Sequence, residues 1–132
     1  MYASRNEPSQ IAYRYNRRQW RPKPSDLRQI VSATVCRIYH VDPRILDGPS
    51  RGVARVALAR QVAMYLAHVV GRIEYAEIGR LFGRDRTTVK HACAVVEDLR
   101  DHAKFDRTMD LLEGIVERLC GAVEIENEDV IH

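Results

Sequence analysis

The densest run of chemically capable residues lies between Gly83 and His91: Arg84, Asp85, Arg86, Thr87, Thr88, Lys90 and His91, with apolar Val89 set among them. A guanidinium can hold the two major-groove acceptors of guanine. A carboxylate can accept from the cytosine amino group, and threonine offers a hydroxyl and a methyl. Together these side chains can read the edges of base pairs. Each also has a plainer use. Asp85 fits a helix N-cap accepting from the Thr88 N–H. Thr87 and Thr88 are weak helix formers tolerated near a terminus. Arg84 fits a water-exposed turn, and His91 a surface or core position.

A second basic stretch opens the chain. Arg5, Arg14, Arg17, Arg18, Arg21 and Lys23 alternate with Tyr2, Tyr13, Tyr15 and Trp20, and Pro22 and Pro24 close it. Cations interleaved with aromatics can meet nucleic acid by charge and stacking; a loose tail, or one whose Trp20 packs on the domain, has the same composition. The formal net charge of +3 conceals an asymmetry. Residues 1–23 carry +5, residues 24–96 another +5, and residues 97–132 carry −7. A basic front and an acidic back suit a protein that turns one face to a polyanion.

Other chemistries find little support. Cys36, Cys93 and Cys120 form no CxxC pair and fall on apolar helical positions, as buried free thiols of a reducing compartment do. The five histidines show no metal-ligand spacing. No nucleophile–base pairing or paired-carboxylate arrangement can be assigned, so no catalytic residue, cofactor or metal is expected. No apolar run approaches the ~18–20 residues of a membrane span, and no secretory h-region opens the chain.

The elements that position the Arg84–His91 run are helical. A first helix is predicted from about Asp26 to Tyr39, capped by Ser25, with Leu27, Ile30, Val31, Thr34, Val35 and Ile38 in one stripe. Asp42-Pro43 ends it, a short turn follows over Pro43 to Leu46, and Asp47-Gly48-Pro49-Ser50 reads as a loop. A long helix is predicted over about Val53 to Val70, a short one over Tyr75 to Phe82, and another over about Arg86 to His102. A last helix spans about Phe105 to Cys120, with Phe105, Met109, Leu112, Ile115, Val116 and Leu119 inward. Residues 121–132 hold Glu124, Glu126, Glu128 and Asp129 and read as a fraying tail. The expected domains are a basic, aromatic arm over 1–24, a helical domain over 25–120 and an acidic tail over 121–132.

Two helices of unequal length joined by a tight glycine turn define a helix-turn-helix. Gly79 stands where the two helices cross, Gly83 supplies the turn, Val89 faces inward from the second helix, and Ile78 and Phe82 pack beneath. The polar run then occupies the N-terminal end of the second helix, the end that enters the major groove in such motifs. Backbone N–H groups there also favour phosphate.

The run Ala57 to Ala67 (Ala-Leu-Ala-Arg-Gln-Val-Ala-Met-Tyr-Leu-Ala), followed by Glu77-Ile78-Gly79, Phe82-Gly83, Arg84-Asp85, Thr87-Thr88-Val89 and His91-Ala92, closely resembles the C-terminal DNA-binding domain of the bacterial replication initiator DnaA. The resemblance covers roughly residues 26–120. It implies an all-α fold, a helix-turn-helix bundle of five to six helices. It implies base contacts for Asp85, Thr87 and Thr88, and phosphates near Arg60, Gln61 and Arg84. Ser50 to Arg55 corresponds to the family's basic loop, which reaches the minor groove and here carries Arg51 and Arg55. The chain departs from the family in having only Gly83 before Arg84-Asp85, Arg86 in place of a histidine, and Gly52 where arginine is usual. No Gly-x-x-x-x-Gly-Lys-Ser/Thr phosphate loop occurs in the sequence.

The resulting expectation is a non-enzymatic, cytoplasmic, nucleoid-associated protein that binds double-stranded DNA sequence-specifically. It would act as a transcriptional regulator or a modulator of replication initiation, beside other DNA-bound regulators or replication proteins, without membrane contact. Its DNA contacts would be Arg51, Arg55, Arg60, Gln61, Arg84, Asp85, Arg86, Thr87, Thr88, Lys90 and His91. The alternative is a protein-interaction module using the helical domain and the acidic last helix and tail.

Overall fold

The computed structural model describes residues 22–48 and 53–131, with side chains for residues 22–48 and 53–122. The arm expected over residues 1–24 therefore lies outside the described residues up to Arg21, as do residues 49–52 with Arg51. The described residues form six helices and no strand: α1 Pro24–Tyr39, α2 Pro43–Leu46, α3 Ala54–Val69, α4 Tyr75–Phe82, α5 Arg86–Leu99 and α6 Ala103–Ile131.

α1 begins earlier than expected. Pro24 stands in its first turn and Lys23 occupies the N-cap position without a side-chain cap bond. Proline's fixed φ is already helical and its missing N–H would be unpaired there anyway, so Ser25 falls inside the helix instead of capping it. His40 ends α1 in the left-handed region, and its N–H donates to the Cys36 carbonyl. α2 has a capped start: the Asp42 carboxylate accepts from the Arg44 N–H at 2.9 Å. Hydrogen bonds from the Arg44 side chain and backbone also hold the Asp42 carboxyl below its usual pKa.

α3 is the centre of the molecule. Its residues Val62 to Ala67 are buried without interruption, as befits a helix covered on nearly every side. α1 and α5 pack most extensively on it, and α6 lies mainly against α1. Leu27, Val31 and Val35 of α1 meet Met109, Leu112, Val116 and Cys120 of α6 in one core. Ile38 and Leu119, expected inward, are 37% and 44% exposed. All three cysteines are free and buried, and burial pushes the thiols of Cys93 and Cys120 up to about 11.

The C-terminal half departs from expectation at two points. α5 stops at Leu99, where i→i+3 bonds from Asp101 to Asp98 and from His102 to Leu99 tighten the chain into a turn. α6 then runs unbroken to Ile131, so its backbone is helical through residues expected to fray. Between the two helices, Arg100 is 1% exposed. Its guanidinium donates to Asp106 and Glu113, each at 2.6 Å, to Asp110, and to the Tyr65 hydroxyl at 2.8 Å. Burial works against its charge, but these partners outweigh it and raise its pKa. The cluster ties the end of α5 to α3 and α6.

Candidate nucleic-acid interface

α4, the turn and α5 form the predicted helix-turn-helix. Gly79 lies where α4 meets the chain entering α5: a Cβ there would stand 2.5 Å from the Arg84 carbonyl oxygen. Gly83 adopts φ 66° and ψ 39°, a left-handed conformation open to glycine at little cost. The Arg84 N–H then returns to the Gly79 carbonyl at 2.8 Å. Ile78, Phe82, Val89, Ala92, Cys93 and Val96 are buried beneath the motif. Burial of an aliphatic side chain such as Ile78 contributes about 1.5–3 kcal/mol, so the apolar side of the pair fixes which side faces out.

That outward side holds most of the predicted residues. Asp85, Arg86, Thr87, Thr88, Lys90 and His91 are all exposed at the start of α5. Asp85 takes the N-cap position with extended backbone, but its side chain makes no cap bond; its carbonyl accepts the Val89 N–H at 3.1 Å. The carboxylate is thus left facing outward beside the first N–H groups of the helix, which have no partner within it.

The remaining predicted residues divide. Gln61 is partly buried and Arg55 exposed on α3, with Nη2 of Arg55 3.5 Å from the His40 carbonyl. Arg51 lies outside the described residues. Arg60, expected near phosphate, is 8% exposed. Its Nε donates to the Leu46 carbonyl at 2.9 Å, and its Nη2 lies 3.4 Å from the carbonyls of Ile45 and Gly48. The last carbonyls of a helix lack intrahelical partners and favour a cation, so the end of α2 draws this guanidinium inward. Arg84 is partly buried; its Nη2 donates to the Gly48 carbonyl at 2.9 Å and its Nη1 to the Gly83 carbonyl at 3.3 Å.

Two arginines escaped the sequence reading. Arg28 on α1 donates from Nε to the Leu81 carbonyl and from Nη2 to Asp47, both at 2.8 Å, and its guanidinium lies 5.4 Å from the Phe82 ring centroid. Arg100 was missed too, though Asp106, Asp110 and Glu113 recur at i, i+4 and i+7, a spacing that puts three carboxylates on one face of α6. Among the described residues no His, Cys, Asp and Glu group could hold a metal ion, and no helix is long and apolar enough to cross a membrane.

The family model for the bacterial DnaA protein helix-turn-helix matches residues 28–96. Curated relatives include the chromosomal replication initiator protein DnaA of Bordetella pertussis, 42% identical over 86 residues covering 63% of this chain and 18% of that protein. The protein of the same name from Sphingopyxis alaskensis is 46% identical over 71 residues, 53% of this chain and 16% of the relative. That of Bifidobacterium animalis subsp. lactis is 40% identical over 77 residues, 58% and 12%. The chain thus spans less than a fifth of the length of these relatives.

Proposed function

From the premise that the chain belongs to the bacterial DnaA helix-turn-helix family, we propose that it binds double-stranded DNA sequence-specifically, with the N-terminal end of α5 in the major groove. The observation that carries this reading is the sidedness of α5. Its first turns expose Asp85, Arg86, Thr87, Thr88, Lys90 and His91, while Val89, Ala92, Cys93 and Val96 are buried against the body. Arg86, Thr87 and Thr88 contact bases, Asp85 accepts from a base amino group, and Lys90 meets phosphate. Gln61 and Arg55 on α3 contact the backbone to one side, and Arg51 adds a further cation to the DNA contacts.

By binding DNA it regulates transcription or modulates replication initiation in the cytoplasm, on the nucleoid, without hydrolysing ATP. Sites like those of the replication initiator are its targets, with other DNA-bound regulators or replication proteins as neighbours. Selection of bound sequences from a random duplex pool tests this. A consensus that Arg86→Ala relaxes at one base pair supports it; recovery of unselected sequence contradicts it.

A second reading, a protein-interaction role for the last helix, has one supporting observation. Leu111 and Leu119, two turns apart on α6, are 57% and 44% exposed.

A further inference from the structure

Three arginines from three parts of the fold converge on two consecutive residues, Asp47 and Gly48. Arg28 comes from α1, Arg60 from α3 and Arg84 from the turn of the helix-turn-helix. Arg28 bridges the Asp47 carboxylate and the Leu81 carbonyl at the end of α4, each at 2.8 Å. Arg60 holds the carbonyls of Leu46 and Ile45, at 2.9 and 3.4 Å, and reaches that of Gly48 at 3.4 Å. Arg84 reaches the same Gly48 oxygen at 2.9 Å. The point where the chain leaves α2 is therefore fastened to both ends of the α4–α5 turn: Leu81 on one side, Arg84 on the other.

We infer that Arg28, Arg60 and Arg84 are positioning residues. By fastening Asp47 and Gly48 to the α4–α5 turn, they fix where the base-reading start of α5 stands relative to the backbone contacts made from α3, where Arg55 is exposed. The inference rests on the DNA-binding reading above. A guanidinium suits the task because its planar fork presents several donors in fixed directions, so one side chain can hold two acceptors at once; an ammonium is a single point charge on a flexible stem. Arg60 is too deeply buried to serve chiefly as a surface ligand, and the Nη2 of Arg84 is committed to Gly48. Neither side chain is thereby a reader of sequence. Each decides where a reader stands.

A phosphate anchor and a positioning residue leave different marks. Losing an anchor weakens binding evenly across sequences and makes the salt slope shallower by about 1. Losing a positioning residue blurs preference at those base pairs whose reader has lost its fixed place. The experiment uses the full chain and a site selected from a random duplex pool, with affinity measured for every single-base variant of that site. Wild type, Arg84→Ala, Arg28→Lys and Arg86→Ala are compared, and a thermal scan of each establishes that it is folded.

The expected result is that Arg84→Ala and Arg28→Lys flatten preference at base pairs that Arg86→Ala leaves intact, with the salt slope unchanged. At those positions a penalty of the usual fivefold or more per mismatch falls below about twofold. Arg28→Lys retains the positive charge, so it carries the test alone if Arg84→Ala unfolds. An even loss across the panel, or a slope shallower by about 1 for Arg84→Ala with no change for Arg28→Lys, overturns the inference and leaves DNA binding standing. A wild-type chain without preference for any base pair instead overturns the DNA-binding reading itself, and the inference with it.

Discussion

Arg60 and Arg84 donate to one acceptor: the Gly48 carbonyl oxygen lies 3.4 Å from Nη2 of Arg60 and 2.9 Å from Nη2 of Arg84. Burial, followed by the nearby Arg84 charge, lowers the pKa of Arg60. Two like charges side by side are tolerated because both turn towards carbonyl groups and Asp47 lies close by. The arrangement joins a core helix to the turn that presents α5, and it predicts a stability effect at a position where a surface contact would give none.

Arg60→Met should lower stability by about 1–3 kcal/mol, because the carbonyl of buried Leu46 loses the Arg60 donor. Urea denaturation measures it as a lower midpoint. An unchanged midpoint together with weakened DNA binding would mean that Arg60 is a surface phosphate ligand after all.

The two glycines of the motif should respond differently to alanine. Gly79→Ala places a methyl 2.5 Å from a backbone carbonyl oxygen, and the α4–α5 crossing must open, at a cost of about 1–3 kcal/mol. At Gly83 nothing stands within 4 Å of an added Cβ, and only the positive φ resists it, by about 1–2 kcal/mol. Gly83→Asn should therefore recover part of that loss, and Gly79→Asn none. Thermal unfolding of the four variants checks the pattern. Equal recovery by asparagine at both positions would contradict it.

The contrast between these residues explains what the sequence made legible. Gly79, Gly83 and Val89 act through local spacing, and spacing is visible in a string of letters; so is the face of α5 that stays outside. The roles of Arg28, Arg60 and Arg100 depend on carbonyls and carboxylates brought together from separate helices. An arginine among polar neighbours reads as a surface cation until its partners are placed. Ser25 was expected to cap α1, but the helix starts at Pro24, whose ring presets a helical φ. Ile38 and Leu119 kept the helical period of their stripes but fall beside the buried line, which runs through Leu27, Val31 and Val35 on α1 and through Met109, Leu112, Val116 and Cys120 on α6.

Arg100→Met should be the most damaging single change outside the apolar core. It leaves Asp106 and Glu113, each 16% exposed, without the cation between them. Removing one partner of a buried charge cluster costs about 3–5 kcal/mol. Because the cluster anchors the end of α5 to α3 and α6, DNA affinity should fall with stability. A denaturation midpoint within error of the wild type would show that the cluster is dispensable.

The buried thiols predict loss of stability in alkali. Cys93 and Cys120 titrate near 11 in the folded protein because burial disfavours their thiolates, whereas an exposed thiol titrates near 8.5. A folded-state pKa raised above the unfolded value gives stability that is fully present below about pH 8.5. It is lost as pH rises through about 11, at roughly 3 kcal/mol for each thiol. Urea midpoints between pH 8 and 11 should decline, and Cys93→Ala should flatten the decline. At pH 8 neither thiol should react with a chromogenic disulfide until denaturant is added. Rapid labelling of the native protein would contradict their burial.

The central claim is that the exposed start of α5 and its basic surroundings meet the phosphates and bases of duplex DNA. The most direct measurement is fluorescence anisotropy of a labelled duplex titrated with the full chain from 50 to 200 mM salt. With Lys90, Arg55 and neighbouring cations at phosphates, log affinity should fall against log salt with a slope of roughly −3 to −6, at about −0.9 per neutralised phosphate. Arg86→Ala should keep most of that slope while losing preference among duplexes. Binding that ignores salt, or no binding at 50 mM, would contradict the account.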